Sequence, residues 1–183
     1  QSGNLILGYA PDQKKNLELN LEATREDDVL YAGAGMDSPS SDADNVRLKY
    51  EQRDRLGPLS GAKVEIYSTK VDHLMDNYSL RELTAPMRMR VPTTSDTIGG
   101  RVLGEITVGD AILTLGVDYQ KNERDAARYS GMPAGEPTTL QSIMWPGAEL
   151  EQSGLFAELS MPVGDLNQVK ANLRYDRGEA PIS

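Results

Sequence analysis

His73 and Met75 are the residues of this chain whose types and spacing come nearest to chemistry. Two positions apart, they project from the same face of an extended strand. Imidazole and thioether make a soft ligand pair, suited to Cu(I) and poor for Mg²⁺ or Ca²⁺. Met87 and Met89, flanked by Arg88 and Arg90, are the next candidates. Six of the seven methionines (36, 75, 87, 89, 132 and 144) fall in segments that read as long connections, and only Met161 falls in a strand. Methionine used as apolar filler concentrates in strands or a core. A thioether-lined entrance for Cu(I) accounts for the loop bias, and loop-to-loop anchoring is the structural alternative. His73, the sole histidine, also reads simply as a rim residue. Two ligands do not complete a tight site, so others must come from loops or from another part of the protein.

Other chemistries find less support. The acidic, Ser-rich run 37–45 offers carboxylates for a hard cation, but it lacks the spacing of a calcium loop and reads better as a solvated loop. Asn77-Tyr78-Ser79 fits the glycosylation pattern and reads as a chance match. One histidine and no cysteine leave only His73 to serve a nucleophile–base arrangement. No phosphate-binding loop, dinucleotide fingerprint or nucleophile elbow is present, and no carboxylate pair stands out among many. The chain is therefore expected not to be an enzyme. Nineteen basic against 28 acidic residues give a net charge of −9, which disfavours nucleic acid and suits attraction of cations.

The elements that carry these residues read as about eight strands joined by alternating short and long links. The short links are 11–15, 55–60, 109–110 and 162–167; the long ones are 25–45, 74–98 and 123–153. Alternation is clear in most strands. Leu17, Leu19 and Leu21 oppose Glu18, Asn20 and Glu22, and Val64 and Ile66 oppose Lys63, Glu65 and Tyr67. Leu113, Leu115 and Val117 oppose Thr114 and Asp118. Segments 4–9 and 154–161 alternate less regularly. Such a stripe arises in a soluble sandwich with its apolar face inward, and equally in a membrane barrel with that face toward lipid. Only the barrel has reason to keep short turns on one side and long loops on the other. Tyr9, Tyr50, Tyr119 and Tyr175 fall near the strand ends in the apolar phase, as interfacial rings do. The expected fold is thus all-β, an antiparallel up-and-down segment of a transmembrane β-barrel, with a soluble sandwich or small barrel acting as a metal-free module as the alternative. By the phase of the fourth strand, His73 and Met75 look into the lumen at its outer end.

Several stretches carry a resemblance. NLELNLEATREDDVLYAGAGMDSPSSDADNVRLKYE (16–51), KVDHLMDNYSLR (70–81), VPTTSDTIGGR (91–101), LGVDYQKNERDA (115–126), Met144-Trp145 and LRYDR (173–177) are similar to the barrel region of TonB-dependent copper receptors of the bacterial outer membrane. KVDHLMDNYSLR is the most specific of these. The resemblance implies residues 1–183 are a partial barrel domain of a longer receptor, without the N-terminal plug or TonB box. It implies capture of copper or a copper complex at the outer mouth, with release driven by the TonB complex through the plug. It also implies contact with outer-membrane lipid, and copper ligands on the plug in addition to His73, Met75, Met87 and Met89.

Overall fold

The computed structural model describes residues 1–164 and 166–180. They form one antiparallel sheet of eight strands in the order of the chain: β1 (Ser2–Asp12), β2 (Lys15–Val29), β3 (Asp37–Gln52), β4 (Gly61–Asp76), β5 (Arg88–Val108), β6 (Ala111–Gly131), β7 (Thr139–Val163) and β8 (Asn167–Glu179). Every strand pairs with its sequence neighbour, as an up-and-down meander requires. β1 and β8 are the edges, and neither pairs with the other among the described residues.

The turns on one end follow from local chemistry. Asp12 accepts from the backbone N–H of Lys14 and Lys15, closing the β1–β2 turn as an Asx turn does. Gly109, at φ 61°, supplies the left-handed residue of the two-residue β5–β6 turn. The β3–β4 link runs over 53–60 and is pinched by a small Leu56–Leu59 bridge. The expected link 162–167 includes residue 165, which lies outside the described residues.

At the other end the strands run much farther than the sequence reading expects. The links there are 30–36, 77–87 and 132–138, so most of the supposed loops 25–45, 74–98 and 123–153 are strand. β7 alone has 25 residues, against the ~9–11 that cross a bilayer. The run 37–45 is the outer part of β3, not a solvated loop. Its carboxylates are also largely paired: Asp37 with Arg81, and Asp42 and Asp44 with Arg25 at 3.8 and 2.6 Å. Met75, Met89 and Met144 likewise belong to strands, which removes much of the loop bias.

The apolar face has no protein against it. Leu17, Leu48, Leu115 and Val117 are 39, 40, 44 and 48 % exposed, and Val91 and Ala126 are the buried hydrophobic residues of the described chain. A sandwich would seal these leucines between two sheets; here there is a single sheet. The soluble alternative fails on that point. The opposite face is polar and tied across strands. Arg174 leans over Gly154 to a bidentate pair with Asp118 at 2.7 and 2.9 Å, and the Tyr67 hydroxyl donates to Gln120 at 2.9 Å. A β-carbon at Gly99 would overlap the Tyr67 ring and the Tyr119 carbonyl oxygen, so glycine is needed there; at Gly154 it would displace the Arg174–Asp118 pair.

One face apolar and unpartnered, the other ionic, is the arrangement of a barrel wall in lipid. Val117→Arg should cost about 2–4 kcal/mol in vesicle-embedded protein, while Thr114→Arg on the polar face should change stability by less than about 0.5 kcal/mol. Urea titration in lipid vesicles checks the pair, and equal costs would mean that the faces are wrongly assigned.

Candidate metal site at the outer end

The four residues expected from sequence to hold metal divide between strand and link. His73 and Met75 lie in the last turns of β4, opposite Thr93 and Val91 of β5. The β4–β5 register runs without a break from Gly61 to Asp76, so both keep the phase of Glu65 and Tyr67 and face the lumen side. Met89 falls on the same face of β5, two residues from Val91, which makes it the diagonal neighbour of Met75. Diagonal neighbours stand about 7–8 Å apart, within reach of long side chains. His73, Met75 and Met89 are half-buried. Met87 is different: it sits at the end of the 77–87 link and is exposed.

Asn77 holds the methionine segment. Buried beyond the end of β4, it accepts from Met89 N–H at 2.8 Å and donates to Met87 carbonyl oxygen at 3.1 Å through its side chain. Its own N–H donates to the Met89 carbonyl at 3.3 Å. The side-chain amide thus acts as an extra rung of the ladder and sets where Met89 starts β5. Asp76, equally buried, accepts from the N–H groups of Tyr78 and Ser79 at 3.0 and 2.8 Å and turns the chain out of the strand.

The links are latched to one another. The Arg81 guanidinium forks onto the buried Asp37 carboxylate and donates to the Ala34 carbonyl at 2.7 Å, joining 77–87 to 30–36. Tyr31 N–H donates to the same carboxylate at 2.9 Å. Arg88 stacks 4.8 Å from the Tyr78 ring and donates to the Gly135 carbonyl at 3.0 Å, joining 77–87 to 132–138. Lower on the same face, buried Asn122 donates to Thr97 at 2.7 Å and Ser95 at 3.0 Å. None of these polar anchors was identified from sequence. The one hint is a strong turn former, Asp76-Asn77, directly after an alternating strand.

The donors are soft ones. No three His, Asp or Glu side chains converge among the described residues, so a cation here would rest on thioethers and one imidazole. A depression of about 680 Å³ around Gly100 opens on the opposite, lipid-facing side and is walled mainly by apolar surface, with Val64, Ile66, Val117 and Leu155 among its lining residues.

The fold and its two faces define a segment of a bacterial outer-membrane β-barrel. Among solved structures, the chain is similar to the copper transporter OprC, with a TM-score of 0.84 and 26% identity over 97% of this chain. It is also similar to the ferric citrate transporter FecA in its unliganded form, with a TM-score of 0.68 and 14% identity over 98% of this chain, a likeness of fold alone. The chain spans 28% of the first and 29% of the second. No protein-family model matches it, and no curated protein does.

Hydrogen bonding to Arg81 holds the Asp37 carboxyl below its ordinary 3.8. A depressed carboxyl stabilises the latch above that ordinary value, and the stabilisation fades as pH falls through the lower folded value. The latch should therefore survive at pH 5 and open only in stronger acid. Hydrogen exchange across 77–87 should stay slow down to about pH 4, and Arg81→Ala should make it fast at pH 7. Fast exchange at pH 6 in the unaltered protein would show that this pair does not hold the link.

Proposed function

We propose that residues 1–183 are a barrel segment of a TonB-dependent outer-membrane receptor for copper, with its plug outside this chain. In this reading His73, Met75 and Met89 form the barrel's share of a Cu(I) site near the outer mouth. Met87 is an outer contact on the approach. The observation that carries the reading is a His-x-Met pair on the lumen face at the outer end of β4, with a third thioether one strand away. The likeness to a copper transporter over nearly the whole chain supports it. The sheet edges at β1 and β8, unpaired among the described residues, support the segment reading, because lipid offers no partner for free strand edges.

The mechanism follows from the ligand types. Thioethers select a soft monovalent ion over Ca²⁺ or Mg²⁺. The acidic run 37–45 attracts cations less than its composition suggests, since its three carboxylates are paired with two arginines. The latched links keep the methionine segment in place before an ion arrives, so little ordering is needed on binding. Remaining ligands come from the plug, and movement of the plug by the TonB complex releases the ion inward. The chain itself carries out no bond-making step and is read as a binding wall, not an enzyme.

Cu(I) titration in competition with a chromophoric chelator tests the site in the receptor that carries this chain. The His73→Ala, Met75→Ala double variant should bind more than about 100-fold more weakly, a loss of about 2.7 kcal/mol. Met87→Ala should weaken binding by less than about 3-fold, since Met87 stands outside the cluster. Unchanged affinity in the double variant would remove both residues from the ligand set.

A further inference from the structure

We infer that Ser38 is a positioning residue for His73, fixing the imidazole with its proton on Nε2 and leaving Nδ1 as the nitrogen open to a soft cation. This rests on the copper reading only for the identity of the ion. The Ser38 hydroxyl oxygen lies 3.0 Å from His73 Nε2 and 3.1 Å from the Ser40 carbonyl oxygen. A carbonyl oxygen has no proton to give, so in the second bond the single hydroxyl proton belongs to Ser38. Toward His73 the hydroxyl oxygen can then only accept, and Nε2 must carry the proton. In the neutral ring Nδ1 is consequently the lone-pair nitrogen. It has no hydrogen-bond partner among the described residues and is not a sealed atom.

The backbone goes out of its way to make this contact. Ser38 shares the alternation of Val46 and Leu48, which would aim it at lipid, away from His73. The β3–β4 pairing, unbroken from Ser40 to Gln52, shifts between Asp37 and Ser40. An irregularity of this kind re-aims a side chain, and here the serine is brought onto the His73 imidazole and buried to 1 % exposure. Metal-binding imidazoles commonly give their other N–H to such an acceptor, which fixes the tautomer and ring orientation and raises ligand basicity. A hydroxyl whose own proton is already committed to a carbonyl is suited to that part.

The test has a readout that needs no metal. His73 is the single histidine, so the full chain labelled with ¹⁵N-histidine gives one set of imidazole nitrogen signals. With the ring neutral, copper-free protein should show the Nε2–H tautomer. Ser38→Ala should give a mixture of tautomers and an about 10-fold loss of Cu(I) affinity, with the copper ligand set seen by X-ray absorption unchanged. Ser38→Thr keeps a hydroxyl and should restore both. Nδ1–H in the unaltered chain would overturn the inference, and so would a Ser38→Ala variant that keeps both the tautomer and the affinity. If Ser38→Ala fails to fold, the tautomer of the unaltered chain still decides. Failure of the unaltered receptor to bind Cu(I), with Nε2–H intact and dependent on Ser38, would sink the copper reading and uphold the Ser38–His73 geometry.

Discussion

Backbone hydrogen bonding in a medium without water is the constraint on which this structure depends. Every N–H and C=O within the hydrocarbon layer needs a partner in the protein, and an antiparallel ladder supplies one for each. The unbroken register of β4 against β5 over sixteen residues is the local expression of that demand. From it follows the strict phase that sends Ile66 toward lipid and Glu65 and Tyr67 toward the lumen. The same phase carries His73 and Met75 to the inner side at the outer end. Position on the ladder decides which way these side chains look, and so which solvent an ion would leave to reach them.

Above the membrane the constraint changes. Water can satisfy both faces there, so nothing in lipid forces the strands to continue, yet β5, β6 and β7 do. What holds them is a set of buried polar groups: Asp37 under Arg81, Asp76 and Asn77 at the head of β4, and Asn122 between β5 and β6. A buried polar group without its partners is costly, whereas a fully satisfied one specifies a single arrangement. The outer rim is therefore tied by hydrogen bonds where the candidate ligands sit, and Asn77 sets Met89 by the same means that close the link.

Legibility in the sequence follows this division. The eight strands, their meander and the direction of each face could be read from Leu17 through Tyr175, because lipid on one side imposes a clean period of two. Strand length could not. In 37–45, Ser, Asp and Asn dominate with only Pro39 and Ala43 between them, and a strand that is polar on both faces leaves no periodic signal. Met75, Met89 and Met144 are strand residues for the same reason, although their polar surroundings read as loop. The same-face placement of His73 and Met75 needed only their spacing and the phase of β4. Ser38 was invisible because its contact depends on a register shift, which alternation cannot foresee.

Lipid on one face and water on the other is the claim from which the site's placement is derived. The chain has no cysteine, so single Cys variants carrying a spin label along β6, one at each residue from 112 to 120, report one position at a time. In lipid vesicles, collision with oxygen should peak at 113, 115 and 117, and collision with a water-soluble nickel complex should peak at 114, 116 and 118. A flat profile, or oxygen maxima at the even positions, would contradict the account.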